Sequence, residues 1–225
     1  MGSIVIIMGK SGTGKSTSLK NLDPKETYII NCLGKKLPFK GSSSTFSEEL
    51  KNLKNTTDYE KIIALIEGVS TKIPRIKNIV IDDASYIMRD EFFARAKERG
   101  YDKFTEIGLH MQKIISAAKS ARNDLNIFLM FHSDELQDSG SIVEYKVATI
   151  GKMLDEKYNP IEVVPVVLYS SVKFNEKKQA EYGFYTHRTK EGNVIIPAKS
   201  PDGMFEEDFI PNDLSVVIEH MNNYY

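Results

Sequence analysis

Apolar residues in this chain gather into short continuous runs, separated by longer stretches in which they recur every three or four positions. IVIIM (residues 4–8), NIVIDD (78–83), NIFLMF (126–131) and VVPVVLY (163–169) are short and rich in β-branched side chains. They read as strands buried on both faces. A further strand is expected over 27–31, after the break at Asp23-Pro24. Helical periodicity appears over 58–67 (Tyr59, Ile62, Ile63, Ile66), entered from Thr57 as N-cap, and over 85–99 (Ile87, Phe92, Ala94, Ala96). It returns over 104–122 (Ile107, Met111, Ile114, Ile115, Ala118), where His110 packs in or beside the stripe. A last helix is expected over 214–224, capped by Asn212-Asp213. Buried strands alternating with amphipathic helices predict an α/β fold, with a mostly parallel central sheet flanked by helices.

Other stretches carry weaker patterns. Residues 34–45 form a loop with Lys35, Lys36 and Lys40 around Phe39, open to two readings: a solvated loop, or a phosphate or nucleic-acid contact. Residues 133–141 (SDELQDSGS) read as a mobile polar loop, 142–149 as a strand or part of that loop, and 150–158 as a short helix. Pro165 places the strand over 163–169 near an edge. An antiparallel C-terminal addition is expected from 182–187 and 193–196, turning at Lys190-Glu191-Gly192.

At 225 residues the whole chain, 1–225, suits one domain. It is 41% hydrophobic and 27% charged with a net charge of −1, which excludes a global basic footprint for nucleic acid. Cys32 is the only cysteine, so an internal disulfide is excluded and a buried, reduced thiol is expected. No apolar run is long enough for a membrane span, and a cytoplasmic protein is expected.

Candidate chemistry concentrates behind the first strand. Gly9, Lys10, Ser11, Gly12, Thr13, Gly14, Lys15 and Ser16 fit G-x-x-x-x-G-K-[ST], followed by Thr17. This is the phosphate-binding P-loop: glycines let the backbone bend around a phosphate and point N–H groups inward. A helix opening at Lys15 would add its dipole. Lys15 would reach the β- and γ-phosphates of ATP, and the Ser16 hydroxyl would bind Mg²⁺. NIVIDD ends in the carboxylates of a Walker B strand, with Asp82 the candidate to hold the metal's water. Asp83 is either a general base or the N-cap of the next helix. His132, at the end of NIFLMF, is either a γ-phosphate sensor or a structural histidine.

GKSGTGKST, NIVIDD with YIMRDEF, YDKFTEIGLH, FLMFHSDE, IGKMLDEKY and SPDGMF followed by IPNDL together resemble the phage AAA-type nucleotide-binding proteins. These are the Sak-type single-strand annealing ATPases with a RecA-like core, and the likeness runs from Met8 to Leu214. The resemblance implies Mg²⁺-dependent ATP binding and a role in phage recombination on single-stranded DNA, in the host cytoplasm, with other phage recombination proteins as partners. It puts His132 at the nucleotide-to-DNA sensor and residues 133–149 at a DNA-binding loop. A second such loop falls at 99–104, where Tyr101 and Phe104 would stack on bases while Arg99 and Lys103 meet phosphates. RecA-type proteins carry a catalytic Glu after the second strand, whereas this strand ends Asn31-Cys32. A homo-oligomer, ring or filament, would let a neighbour supply a cationic finger, with Lys152, Arg188 and Lys190 as candidates. Two other readings compete: a small P-loop nucleotide kinase, against which the scarcity of arginine beyond Arg122 argues, and a nucleotide-dependent switch or scaffold.

Overall fold

The computed structural model describes residues 3–151, 154 and 157–224. Its core is a sheet of mostly parallel strands with an antiparallel margin. β1 (Ile4–Gly9) lies between β5 (Asn126–Asp138) and β7 (Val166–Phe174), parallel to both. β4 (Asn78–Asp82), β2 (Thr27–Asn31) and β3 (Leu53–Asn55) continue the parallel array. β8 (Ala180–Tyr185) and β11 (Phe209–Pro211) add an antiparallel margin next to β7. The fold is a mixed α/β architecture of the P-loop NTPase kind, as the alternation of buried runs and amphipathic stretches predicts.

Side chains alternate between two cores because strand neighbours point to opposite faces. Ile4, Ile6 and Met8 join one core under α2 (Tyr59–Lys72), α3 (Ser85–Ala94) and α4 (Asp102–Lys119). Val5 and Ile7 join the other, covered by a 3-10 helix (Ser16–Asn21), the segment carrying Leu37 and Phe46, and α5 (Leu214–Tyr224). A one-turn helix, α1 (Ser42–Thr45), interrupts the lysine-bearing loop. Cys32 is buried just past β2, and burial pushes its thiol well up.

Several expectations are corrected. Residues 133–138 are no loop: β5 runs on to Asp138 and turns into β6 (Ser141–Val147), an antiparallel hairpin. The run over 182–187 pairs with β7 and β11, not with 193–196. Instead, β9 (Thr189–Glu191) pairs with β10 (Val194–Ile196), which in turn meets β6. β7 is internal, and Pro165 costs no ladder bond because it precedes the strand. Asp58, not Thr57, caps α2, accepting from Glu60 N and Lys61 N. The helix expected over 150–158 falls partly outside the described residues, which omit 152, 153, 155 and 156.

Candidate functional site

β1 delivers the P-loop at the carboxyl edge of the sheet, where Gly9 lies in register with His132 of β5. The loop's backbone is pinned from outside. Ser170 Oγ donates to Thr13 O (2.8 Å), and Asn212 Nδ2 donates to Gly14 O (2.8 Å). Glycine is required at both flanks. A Cβ on Gly9 would sit 2.6 Å from Ser170 O, and one on Gly14, at φ +94°, would sit 2.5 Å from Asn212 Nδ2. The expected helix after Lys15 is only the six-residue 3-10 helix, so its dipole adds little to the anion cradle.

The buried Lys15 folds back along the loop and donates to Gly9 O (2.8 Å) and Lys10 O (2.9 Å). Burial pulls its ammonium down to about 8, against the pull of Asp83 and Asp82. Ser16 Oγ donates to Asp82 Oδ1 (2.9 Å), joining the P-loop to the end of β4. Burial and then the neighbouring charge of Asp83 push the Asp82 carboxyl up to about 6. Asp83 adopts φ +59°, a left-handed conformation uncommon outside glycine and stored most often at functional sites. Its side chain does not cap α3. It turns to His132, whose Nε2 lies 3.2 Å from Asp83 Oδ1. Burial pushes the Asp83 carboxyl up, but the His132 hydrogen bond and the charges of His132, Lys35 and Lys15 outweigh it, and the group titrates below its ordinary value.

These groups share a cleft of about 790 Å³, within the range of small-molecule sites. Of the P-loop residues, Ser11, Gly12, Gly14, Lys15, Ser16 and Thr17 line it, with Asp82, Asp83 and His132. Gly9, Lys10 and Thr13 are not part of its lining. The Lys10 side chain points instead to the β5–β6 hairpin, pairing with Glu135 (2.8 Å) and lying over the Tyr145 ring (5.1 Å). Sequence reasoning missed Lys20, Tyr182 and Pro211 as lining residues, and it took Asn212 and Asp213 only as helix caps. No local signal marks a residue brought to a site from two hundred positions away.

The donor set fits the expected ligands. Mg²⁺ prefers a few oxygen donors with retained waters, and a hydroxyl beside a crowded, buried carboxylate offers that; no cluster of three or more acidic, His or Cys ligands exists among the described residues. Ser16 and Asp82 would hold Mg²⁺, which when bound would draw negative charge from a nucleotide's phosphates.

The other candidates lie elsewhere. Tyr101 is 86% exposed and Arg99 is exposed, between α3 and α4. Phe104 packs on Phe92, while Lys103 donates to Glu98 O (3.1 Å) and sits over both rings. His110 stacks on Tyr59 and contacts Glu91 (2.9 Å), a structural role. Arg188 pairs with Glu144 (3.0 Å), Lys190 belongs to β9, and Lys152 lies outside the described residues.

The sequence model of the AAA domain family matches residues 1–199. No curated protein matches the chain.

Proposed function

The chain belongs to the AAA domain family, and from that premise we propose that it is an Mg²⁺-dependent ATPase acting on single-stranded DNA in phage recombination. It is an AAA-type P-loop NTPase, a nucleotide-binding family. One observation carries the step to ATP and Mg²⁺: the Ser16–Asp82 hydrogen bond (2.9 Å) beside the buried Lys15 ammonium. A hydroxyl, a carboxylate and a desolvated cation converge where a metal and a phosphate would meet. In this reading Asp83 serves as the general base, oriented and kept ionised by His132.

The DNA part rests on the resemblance and on the exposed Tyr101 and Arg99, two positions apart in the connection between α3 and α4. Aromatic faces near cations suit unstacked bases. We assign this contact to residues 99–104 rather than to the β5–β6 hairpin, which carries four acids, Asp134, Glu135, Asp138 and Glu144, against one lysine, Lys146, and suits phosphates less well. A homo-oligomer in the host cytoplasm, working with other recombination proteins, completes the reading.

The test is equilibrium binding of ATP with Mg²⁺ by parent and Lys15→Ala, with turnover measured with and without single-stranded DNA. Lys15 bonds only to loop carbonyls, so the variant should fold and lose the nucleotide. Unchanged ATP affinity in a folded Lys15→Ala protein would refute the site. ATP binding without DNA binding would leave a nucleotide-dependent switch.

A further inference from the structure

β2 ends at Asn31, where the RecA-like resemblance would place an acid. The buried Asn31 side chain serves the backbone instead: its Nδ2 donates to Lys35 O (2.7 Å). Two residues on, Leu37 is buried in the core and its carbonyl accepts from Ser42 Oγ (2.9 Å). The intervening segment is therefore held at both ends, and it carries Lys35 and Lys36 into the wall of the cleft beside Asp83 and His132. Both side chains are exposed, and neither ammonium makes a hydrogen bond or ion pair with another described residue. The charge of Lys35 reaches the Asp83 carboxylate.

We propose that Lys35, with Lys36 beside it, is the cation that recognises the terminal phosphate of a bound nucleoside triphosphate, supplied by the same chain that supplies the P-loop. The inference rests on the ATP reading above. It concerns where the positive charge at the γ-phosphate comes from, which the P-loop alone does not decide. Lys15 is one desolvated ammonium, and a triphosphate presents more negative charge than Lys15 and one divalent ion neutralise. Of the finger candidates, Arg188 is already held by Glu144. Lys35 and Lys36 stand in the cleft on a segment anchored by Asn31 and Leu37, free to pair with an added phosphate. A diphosphate ends one phosphate short and leaves the two lysines without that partner. The two lysines thus distinguish triphosphate from diphosphate.

The test is Mg²⁺-dependent binding of ADP and of a non-hydrolysable ATP analogue to parent, Lys35→Gln, Lys36→Gln and the double variant. Because it reads binding, it does not depend on hydrolysis. The parent should prefer the triphosphate analogue, and the double variant should lose about tenfold or more of that preference, the scale of one charge-assisted hydrogen bond, while its ADP affinity is nearly unchanged. Lys35→Gln should account for most of the loss. Lys35 and Lys36 are exposed, so thermal melting should match the parent's and exclude misfolding. A double variant that keeps the parent's preference overturns the proposal. So does a mixture in which an added Lys15→Ala copy, with Lys35 and Lys36 intact, restores the preference to the double variant, because the cation would then come from a neighbour. A parent that binds neither nucleotide sinks the ATP reading and this inference with it.

Discussion

Asp82 and Lys15 are charges held in a dry environment, and both are displaced in the direction that costs the fold stability. Asp82 titrates at about 6 in the folded chain against 3.8 as its ordinary value, so folding takes up protons between these values. Its contribution is present below pH 4 and lost as pH rises through about 6. Lys15 is lowered from 10.5 to about 8, so its contribution is present above 10.5 and lost as pH falls through 8. At neutral pH both are liabilities that a metal and a phosphate would relieve. Asp82→Asn should therefore raise the melting temperature at pH 7 by about 5 °C, with little difference at pH 4, from an effect on the order of 2–3 kcal/mol. The same variant should weaken Mg²⁺-dependent nucleotide binding. A melting temperature at pH 7 no higher than the parent's would show that Asp82 is not destabilising. Asp83→Asn should leave nucleotide binding in place and slow hydrolysis by about 10²–10⁴-fold, the usual cost of losing a general base. Full turnover in that variant would reduce Asp83 to a partner for His132.

Among elements, α2 shows how a local rule is obeyed by a neighbouring residue. Thr57 and Asp58 are both acceptable caps by type, and only backbone geometry selects Asp58; the Thr57 hydroxyl donates to Asp90 instead (3.0 Å). Asp58→Ala should cost about 1 kcal/mol in a denaturant titration, the typical value of a lost cap, and Thr57→Val clearly less. The reverse order would restore Thr57 as the cap. Apolar periodicity shows β1, β4, the first half of β5 and α2 to α5 because burial on one or two faces writes itself into residue type. It does not show residues 133–138, whose ladder bonds to β6 hold an exposed strand without an apolar face. Nor does it show β3, three residues long, or the partner of β8, since strand pairing between distant segments leaves no local trace. The P-loop and Asp82 were legible because fixed spacing serves fixed chemistry. Lys35 and Asn212 were ambiguous because their meaning depends on where a loop and a late strand come to rest.

At the scale of the whole molecule, a net charge of −1 leaves single-stranded DNA few cations to meet on one copy. If the proposed oligomer repeats modest contacts along the strand, binding should rise with oligonucleotide length, fall with salt, and strengthen with ATP analogue. Tyr101→Ala should lose about 1–3 kcal/mol, one stacked base, in fluorescence anisotropy. No binding by the parent at low salt would remove DNA from its partners. The family match stops at residue 199, yet Pro211, Asn212 and Asp213 line the cleft and Asn212 grips Gly14. Behind them Ile210, Leu214, Val217 and Met221 fill the second core. A boundary drawn where family likeness ends would therefore cut through the cleft itself. The late segment is a wall of the cleft rather than an appendage, and the structural unit must be counted as reaching past the part that kinship recognises.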